Sequence, residues 1–179
     1  VSKTIKPFLP LNVVVLTVSD TRDESTDTSG AYLVEAIINA GHKLVEKKIV
    51  KDDKYQLRAC VSAWIASPDV QVVLVTGGTG FTLRDSTPEA LSVLFDKEVE
   101  GFGELFRSIS YQEIGTSTVQ SRAVAGLANY TAIFCMPGST GACKTGWNGI
   151  LKEQLDASHR PCNFVDHLLP AGSLCESRG

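Results

Sequence analysis

Val70-Gln71-Val72-Val73-Leu74-Val75-Thr76-Gly77-Gly78-Thr79-Gly80 decides how this chain folds. A short, almost wholly apolar run rich in valine ends abruptly in glycines. Such a run predicts a buried strand, because β-branched side chains pack well on a pleated surface and strand length is soon exhausted. The glycines end it and let the backbone take shapes that other residues avoid.

Working outward, the same kind of run recurs. Asn12 to Val18 is apolar and β-branched and predicts a second buried strand. Asp27-Thr28-Ser29-Gly30 offers helix-capping chemistry, and a helix is expected over Ala31 to Ala40, stopped at Gly41. A strand follows near His42 to Val50. After Lys51-Asp52-Asp53 a helix runs to about Ala66, with Leu57, Cys60, Val61, Trp64 and Ile65 on one face, and Pro68-Asp69 breaks it.

Beyond the glycines, Pro88 suits the first turn of a short helix. Helices are expected over Gly103 to Glu113 and near Ser121 to Ala128. Thr131 to Met136 reads as the next strand, stopped by Pro137-Gly138, and a last helix runs from Ser139 or Thr140 to about Leu155. Alternation of strands and helices predicts an α/β fold with three layers, a mainly parallel twisted sheet covered by helices on both faces. The expected organisation is an N-terminal arm over 1–10, one domain over 11–169 and a C-terminal tail over 170–179.

The 179 residues are 43% hydrophobic, enough for one domain with a sizeable core. A net charge of -3 argues against a nucleic-acid partner, which would call for a basic face. No apolar run approaches the roughly 20 residues needed to span a bilayer. Val1-Ser2-Lys3-Thr4-Ile5-Lys6-Pro7 carries lysines but no signal-peptide hydrophobic region, so the expected location is the cytoplasm. The five cysteines are odd in number and scattered, which does not make a disulfide framework. Cys162 and His167 fall short of the three or four ligands a zinc site needs. Lys47 and Lys48 read as a solvated strand end, and Trp64 and Trp147 as core or subunit-contact residues.

In an open parallel sheet, ligands bind beyond the carboxyl ends of the strands. Here those ends are Ser19-Asp20, Asp52-Asp53, Thr76 to Gly80, and Pro137-Gly138-Ser139. Hydroxyls, carboxylates and glycines therefore gather on one rim. Successive N–H groups of Thr76, Gly77, Gly78, Thr79 and Gly80 can cradle phosphate oxygens. Asp85 follows beside Arg84, and a carboxylate near phosphate calls for a cation between them. Magnesium suits this, held by one or two carboxylates plus phosphate oxygens, with Asp52 as the second carboxylate. A plainer reading stays open: Asp52 as a helix cap and Asp85 as a turn residue ahead of Pro88. Gly138, Lys144 and Thr145 fit a P-loop pattern, but Cys143 stands where its second glycine belongs and crowds the phosphate path. Gly138 and Ser139 can still meet an anion at a helix N-terminus.

Several stretches together resemble the MoaB/MogA family of molybdenum cofactor biosynthesis. They are Leu16-Thr17-Val18-Ser19-Asp20, Thr76 to Gly80, Arg84-Asp85-Ser86-Thr87-Pro88-Glu89-Ala90, Gly101-Phe102-Gly103-Glu104 and Met136-Pro137-Gly138-Ser139. The resemblance runs from about Val13 to His167. Glu113-Ile114-Gly115-Thr116-Ser117-Thr118, Gln120 to Gly126 and Arg160-Pro161-Cys162-Asn163-Phe164 look most like the B branch. One departure is Lys51, where many members carry proline.

The resemblance implies molybdopterin as ligand, assembly as a trimer or a hexamer, and other proteins of the pathway as partners. For adenylyl-transferring members it implies attack of the molybdopterin phosphate on ATP with Mg2+ present. Carried over, Asp52 and Asp85 would be the catalytic and metal-holding residues. Thr76 to Gly80, Gly138, Ser139, Ser19 and Asp20 would bind the ligands. Two functions are expected to compete: a molybdopterin adenylyltransferase, or a protein that binds molybdopterin or a nucleotide, ATP or GTP, without turning it over.

Overall fold

Residues 6–169 are described by a computed structural model of the chain. A six-stranded sheet forms its middle layer, in the order β2-β1-β3-β6-β5-β4. The strands are β1 (Asn12–Val18), β2 (Lys43–Val50), β3 (Val72–Thr76), β4 (Lys97–Glu98), β5 (Val124–Ala128) and β6 (Thr131–Met136). β2, β1, β3 and β6 run parallel, whereas β5 is antiparallel to β6 and β4 to β5.

Alternate residues of a strand point to opposite faces, and β1 shows what this does when both faces are covered. Val13 and Val15 enter one core with Leu33, Ile37, Phe102, Phe106, Trp147 and Leu151. Val14, Leu16 and Val18 enter the other with Leu57, Val61, Trp64, Ala90 and Leu91. The helices are thus sorted. α1 (Thr28–Asn39), α4 (Glu100–Ile114) and α5 (Thr140–Gly146) cover the first face. α2 (Lys54–Ala66) and α3 (Thr87–Leu91) cover the second. The expected three-layer α/β architecture is what the chain adopts. α5 runs on through a π-helical turn, Trp147–Leu151, into α6 (Lys152–Gln154), and α7 (Val165–Leu168) closes the described chain. Trp64 and Trp147 are both core residues.

The expected helix over Ser121 to Ala128 is corrected. A 3-10 stretch, Gly115–Gln120, precedes it, and the segment itself is the antiparallel strand β5. Its alanines suit a helix locally, but tertiary packing overrides that preference. Gly126 explains how: a side chain there would collide with the Phe95 ring, so the strand lies flat against that ring. β5 turns into β6 through Asn129 (φ 45°) and Tyr130 (φ 61°). Two left-handed residues make the turn whose twist matches a two-residue hairpin. Tyr130 is 57% exposed. Tyr130→Gly should therefore relieve more strain than it adds in chain entropy, raising stability by about 0.5–1 kcal/mol. A thermal melt should rise by roughly 2 °C; a lower melting temperature would show that the tyrosine ring makes a contact worth more than the strain.

The helix caps are polar contacts at the rim end of the sheet. Asp53, not Asp52, caps α2, its Oδ1 accepting the N–H of Tyr55 (3.0 Å) and Gln56 (2.8 Å). Asp27 is buried and caps α1 by accepting the Gly30 N–H at 2.9 Å. It also accepts the Thr17 hydroxyl (2.8 Å) and pairs with Lys47 (2.9 Å). Lys47 is therefore not solvated as expected; its side chain is 15% exposed and bridges Asp27 to Glu24.

Burial alone would raise the Asp27 pKa, but the Gly30, Lys47 and Thr17 contacts outweigh it and hold it below the ordinary 3.8. A depressed carboxylate stabilises the fold above its unfolded pKa and loses that contribution as pH falls through the lower folded value. Asp27→Asn should accordingly flatten the loss of stability below pH 3.8. Urea titrations at neutral pH and at low pH check this; an unchanged acid slope would place the acid sensitivity elsewhere.

Residues 6–10 lie without regular structure against the body, where Lys6 pairs with Asp166 at 2.6 Å and Phe8 packs on His42. The expected tail over 170–179 and residues 1–5 of the expected arm lie outside the described residues. No helix among the described residues is long and apolar enough to cross a membrane.

Candidate functional site

Because β1, β2, β3 and β6 are parallel, their carboxyl ends share one edge. β5 joins them there from the other direction: Val124, at its start, pairs with Cys135 near the end of β6. The loops leaving β1, β3 and β6 and the segment entering β5 enclose a cavity of about 580 Å³. Among the expected residues, Ser19, Thr76, Gly77, Gly78, Thr79, Gly80, Asp85, Gly138 and Ser139 line it. Asp20 and Asp52 do not.

The glycine loop is locked in place. Gly77 has φ +109° and Gly78 φ +65°, both in the left-handed half of conformational space. A side chain at Gly77 would strike the Val18 carbonyl oxygen, and one at Gly78 the Thr87 hydroxyl. Thr87 itself donates its hydroxyl to the Gly77 carbonyl at 2.8 Å, and its N–H to the Gly78 carbonyl at 2.9 Å. Thr76 is fully buried, donating to the Pro137 carbonyl and accepting from Cys143 Sγ.

Arg122, two residues before β5, closes the loop from outside. Its Nε donates to the carbonyls of Gly80 (2.9 Å) and Thr79 (3.2 Å), and its Nη2 to the Asp85 carbonyl (3.1 Å). It also pairs with Glu89 and stacks on the Phe81 ring. Within the loop, Gly77 N–H donates to the Met136 carbonyl at 3.0 Å and Gly80 N–H is directed at Asp85, so among the described residues the N–H groups of Gly78 and Thr79 are the ones left without a protein acceptor.

The three aspartates hold distinct places. Asp85 Oδ2 accepts the Thr82 N–H at 2.8 Å, so the turn reading of this residue holds geometrically even as it lines the cavity. The Thr82 contact, the Gly80 backbone and the Arg122 charge hold its pKa below the usual carboxylate value. Asp52 Oδ1 accepts both the N–H (3.2 Å) and the hydroxyl (2.6 Å) of Ser86. Its Oδ2 lies 2.7 Å from where a Gly78 side chain would begin. Burial, opposed by Ser86 and reinforced by the charges of Asp85 and Asp20, raises its pKa. Asp20 is held by Arg84 through two bonds of 2.9 and 2.8 Å, and its Oδ1 accepts the Asp52 N–H. The Arg84 hydrogen bond is the main reason its pKa is lowered.

The cavity contains groups that sequence reasoning passed over. Arg22 lines it from the loop after β1; its Nη1 donates to Ser29 Oγ at 2.7 Å. Asp27 lies 3.8 Å away but is already neutralised by Lys47 at 2.9 Å. Glu113, at the end of α4, lines the other side and accepts the Thr145 hydroxyl at 2.7 Å. A basic residue three positions beyond a strand-end serine was a usable signal for Arg22. Nothing local marked Glu113 or Arg122, since their places depend on how α4 meets α5 and on where β5 begins. Two hydroxyls keep a hydrogen to give: Ser139 Oγ accepts the Ala142 N–H (3.1 Å), and Ser19 Oγ accepts the N–H of Thr21 and Arg22.

Chemically, the lining combines the Arg22 guanidinium, serine and threonine hydroxyls and the Asp85 and Glu113 carboxylates with apolar Phe106 and Ile114. The P-loop reading fails on geometry: Cys143 is buried behind Thr76, and Lys144 sits over the Tyr32 ring without lining the cavity. Among the described residues no group of three or more His, Cys, Asp or Glu is placed to hold a metal by itself. Magnesium asks less, one or two carboxylates completed by phosphate. Asp52 and Asp85, hard oxygen donors on either side of Gly78 to Gly80, fit that demand, and their mutual repulsion is of the sign a cation relieves.

Residues 14–157 match a family described as a probable molybdopterin binding domain. The chain is 61% identical over 167 residues to molybdenum cofactor biosynthesis protein B of Escherichia coli (strain K12), covering 93% of this chain and 98% of that one. It is 49% identical over 142 residues to the protein of the same name from Bacillus cereus, covering 79% and 84%. Among solved structures, a molybdenum cofactor biosynthesis protein B superposes with a TM-score of 0.79 at 47% identity, covering 86% of this chain and 94% of that one. A tungsten cofactor synthesizing protein MoaB from Pyrococcus furiosus superposes at 0.72 with 40% identity, covering 80% and 92%.

Proposed function

This chain belongs to the molybdenum cofactor biosynthesis protein B family, and from that premise we propose that its rim cavity binds molybdopterin and adenylylates it with ATP. The observation that carries this reading is the convergence of Asp52 and Asp85 on the glycine loop of the cavity.

The chemistry asks for positioning and charge control. An oxygen of the molybdopterin phosphate attacks the α-phosphorus of ATP. A new P–O bond forms there, the bond from the α-phosphorus to the bridging oxygen breaks, and pyrophosphate leaves with that electron pair. A phosphate monoester is largely dianionic at neutral pH, so its oxygen needs no protein base. Arg22, the N–H groups of Gly78 and Thr79 and the Ser139 and Ser19 hydroxyls hold the phosphates and fix the line of attack. Arg122 keeps the loop in the shape that presents those N–H groups. Asp52 and Asp85 would hold Mg2+, which when bound spreads the phosphate charge.

A second reading rests on Asp52, whose carboxylate is turned to Ser86 and off the cavity. In that reading the chain carries molybdopterin or a nucleotide without transfer. Purified protein given molybdopterin, ATP and magnesium should yield adenylylated pterin and pyrophosphate in equal amounts. Bound pterin without product would replace the first reading with the second. The expected self-association into a trimer or hexamer is measured by light scattering.

A further inference from the structure

The cavity is polar in two different ways at its two ends. It spans the rim from β1 through β3 and β6 to β5, three strand spacings or about 14 Å. At the β1 end stands Arg22, whose guanidinium makes, among the described residues, one hydrogen bond, to the neutral Ser29 hydroxyl, and lies 3.8 Å from an Asp27 already paired with Lys47. At the β5 end stands Glu113, with Ser117 and Gln120 beside it and Phe106 and Ile114 as apolar wall.

Glu113 is held but not used up. Thr145 donates to Oε2 at 2.7 Å, and among the described residues Oε1 accepts no hydrogen bond. An ionised carboxylate has about four acceptor positions, so three remain. A carboxylate whose orientation is fixed by a hydroxyl, beside an apolar wall, suits the edge of a flat ring that offers two adjacent N–H donors. A phosphate fits badly there because like charges repel, and an all-acceptor edge fits no better.

We propose that Glu113 reads the ring of the cavity's ligand, accepting the paired N–H donors of a 2-amino-4-oxopyrimidine edge while Arg22 holds the phosphate at the opposite end. This rests on the molybdopterin reading for the choice of pterin. The same edge occurs on guanine, so the recognition chemistry is shared by the two rings. The ligand then lies along the rim with its ring against Phe106 and Ile114 and its phosphate over the glycine loop.

Fluorescence titration with neopterin monophosphate, its 2-oxo (lumazine) counterpart and guanosine monophosphate tests the assignment. The full chain should prefer the pterin over the lumazine by about tenfold or more, since the lumazine lacks one donor to a charged acceptor. Glu113→Gln keeps the size of the side chain and can still accept the Thr145 hydroxyl. It should erase that preference, while Arg22→Gln should weaken both ligands alike and leave the preference intact. Because the preference is a ratio read on one folded protein, partial loss of stability in a variant does not mimic the result. A preference that survives in Glu113→Gln overturns the role of Glu113 and leaves the molybdopterin reading standing. A Glu113-dependent affinity confined to guanosine monophosphate keeps the edge recognition and overturns the pterin reading. No binding of any of the three by the parent chain overturns both.

Discussion

Asp85→Asn is expected to lower adenylyl transfer by about a hundredfold to a thousandfold while leaving molybdopterin affinity nearly unchanged. The substitution is almost isosteric, and the asparagine oxygen can still accept the Thr82 N–H that the carboxylate accepts at 2.8 Å. The turn after the glycine loop should therefore persist. What is lost is the negative charge facing the phosphates, and with it half of the proposed magnesium site. That charge matters most when charge moves from the α-phosphorus to the leaving pyrophosphate, and little when the pterin merely sits in the cavity. Rates of adenylylated pterin formation, set beside pterin binding followed by fluorescence, separate the two. Affinity and turnover falling together would mean that Asp85 only shapes the loop, and neither falling would remove it from the chemistry.

Gly77→Ala should have the largest effect on the fold of any single methyl group added at the rim. At φ +109° an L-residue is strained by about 1–3 kcal/mol. The added carbon also meets the Val18 carbonyl oxygen, which belongs to the backbone at the end of β1 and cannot rotate away. Overpacking of this kind costs a further 1–3 kcal/mol or so. The sum, about 2–6 kcal/mol, should depress the melting temperature by roughly 10 °C. Gly141→Ala is the contrast, since nothing lies within 4 Å of its added carbon. Equal melting temperatures for the two variants would mean that the loop after β3 is free to shift, and the rigid phosphate cradle would be lost with it.

Much of the architecture is legible along the chain. The strands β1, β3 and β6 announce themselves because each is a local apolar run with its own stop, and a parallel strand buried on both faces must be apolar nearly throughout, whereas β2 at the sheet edge is half charged. β5 is illegible for the opposite reason. Val124–Ala128 is short and made of small residues, and it is a strand only because the Phe95 ring and β6 are there to receive it. Lys47 misleads in the same way: its charge looks like solvent exposure until Asp27 meets it from the end of the loop after β1. Phe95 and Asp27 are both distant in sequence from the residues whose place they decide, and local preference carries no information about them.

The amino-acid sequence by itself determined the run into the glycines, the parallel sheet and the rim where the cavity opens, since strand ends and turn residues are set by neighbours. It also placed Asp85 and Ser139 on that rim. Only the tertiary structure decided which carboxylate does what. The fold gives the cap of α2 to Asp53, turns Asp52 to Ser86, and ties Asp20 to Arg84, 64 positions away. It also brings Arg122 to the cavity, because antiparallel β5 starts at the edge where the parallel strands end, and Glu113, from the end of α4 against Thr145 of α5. Those contacts depend on which strands pair, and pairing is settled by the packing of the whole core.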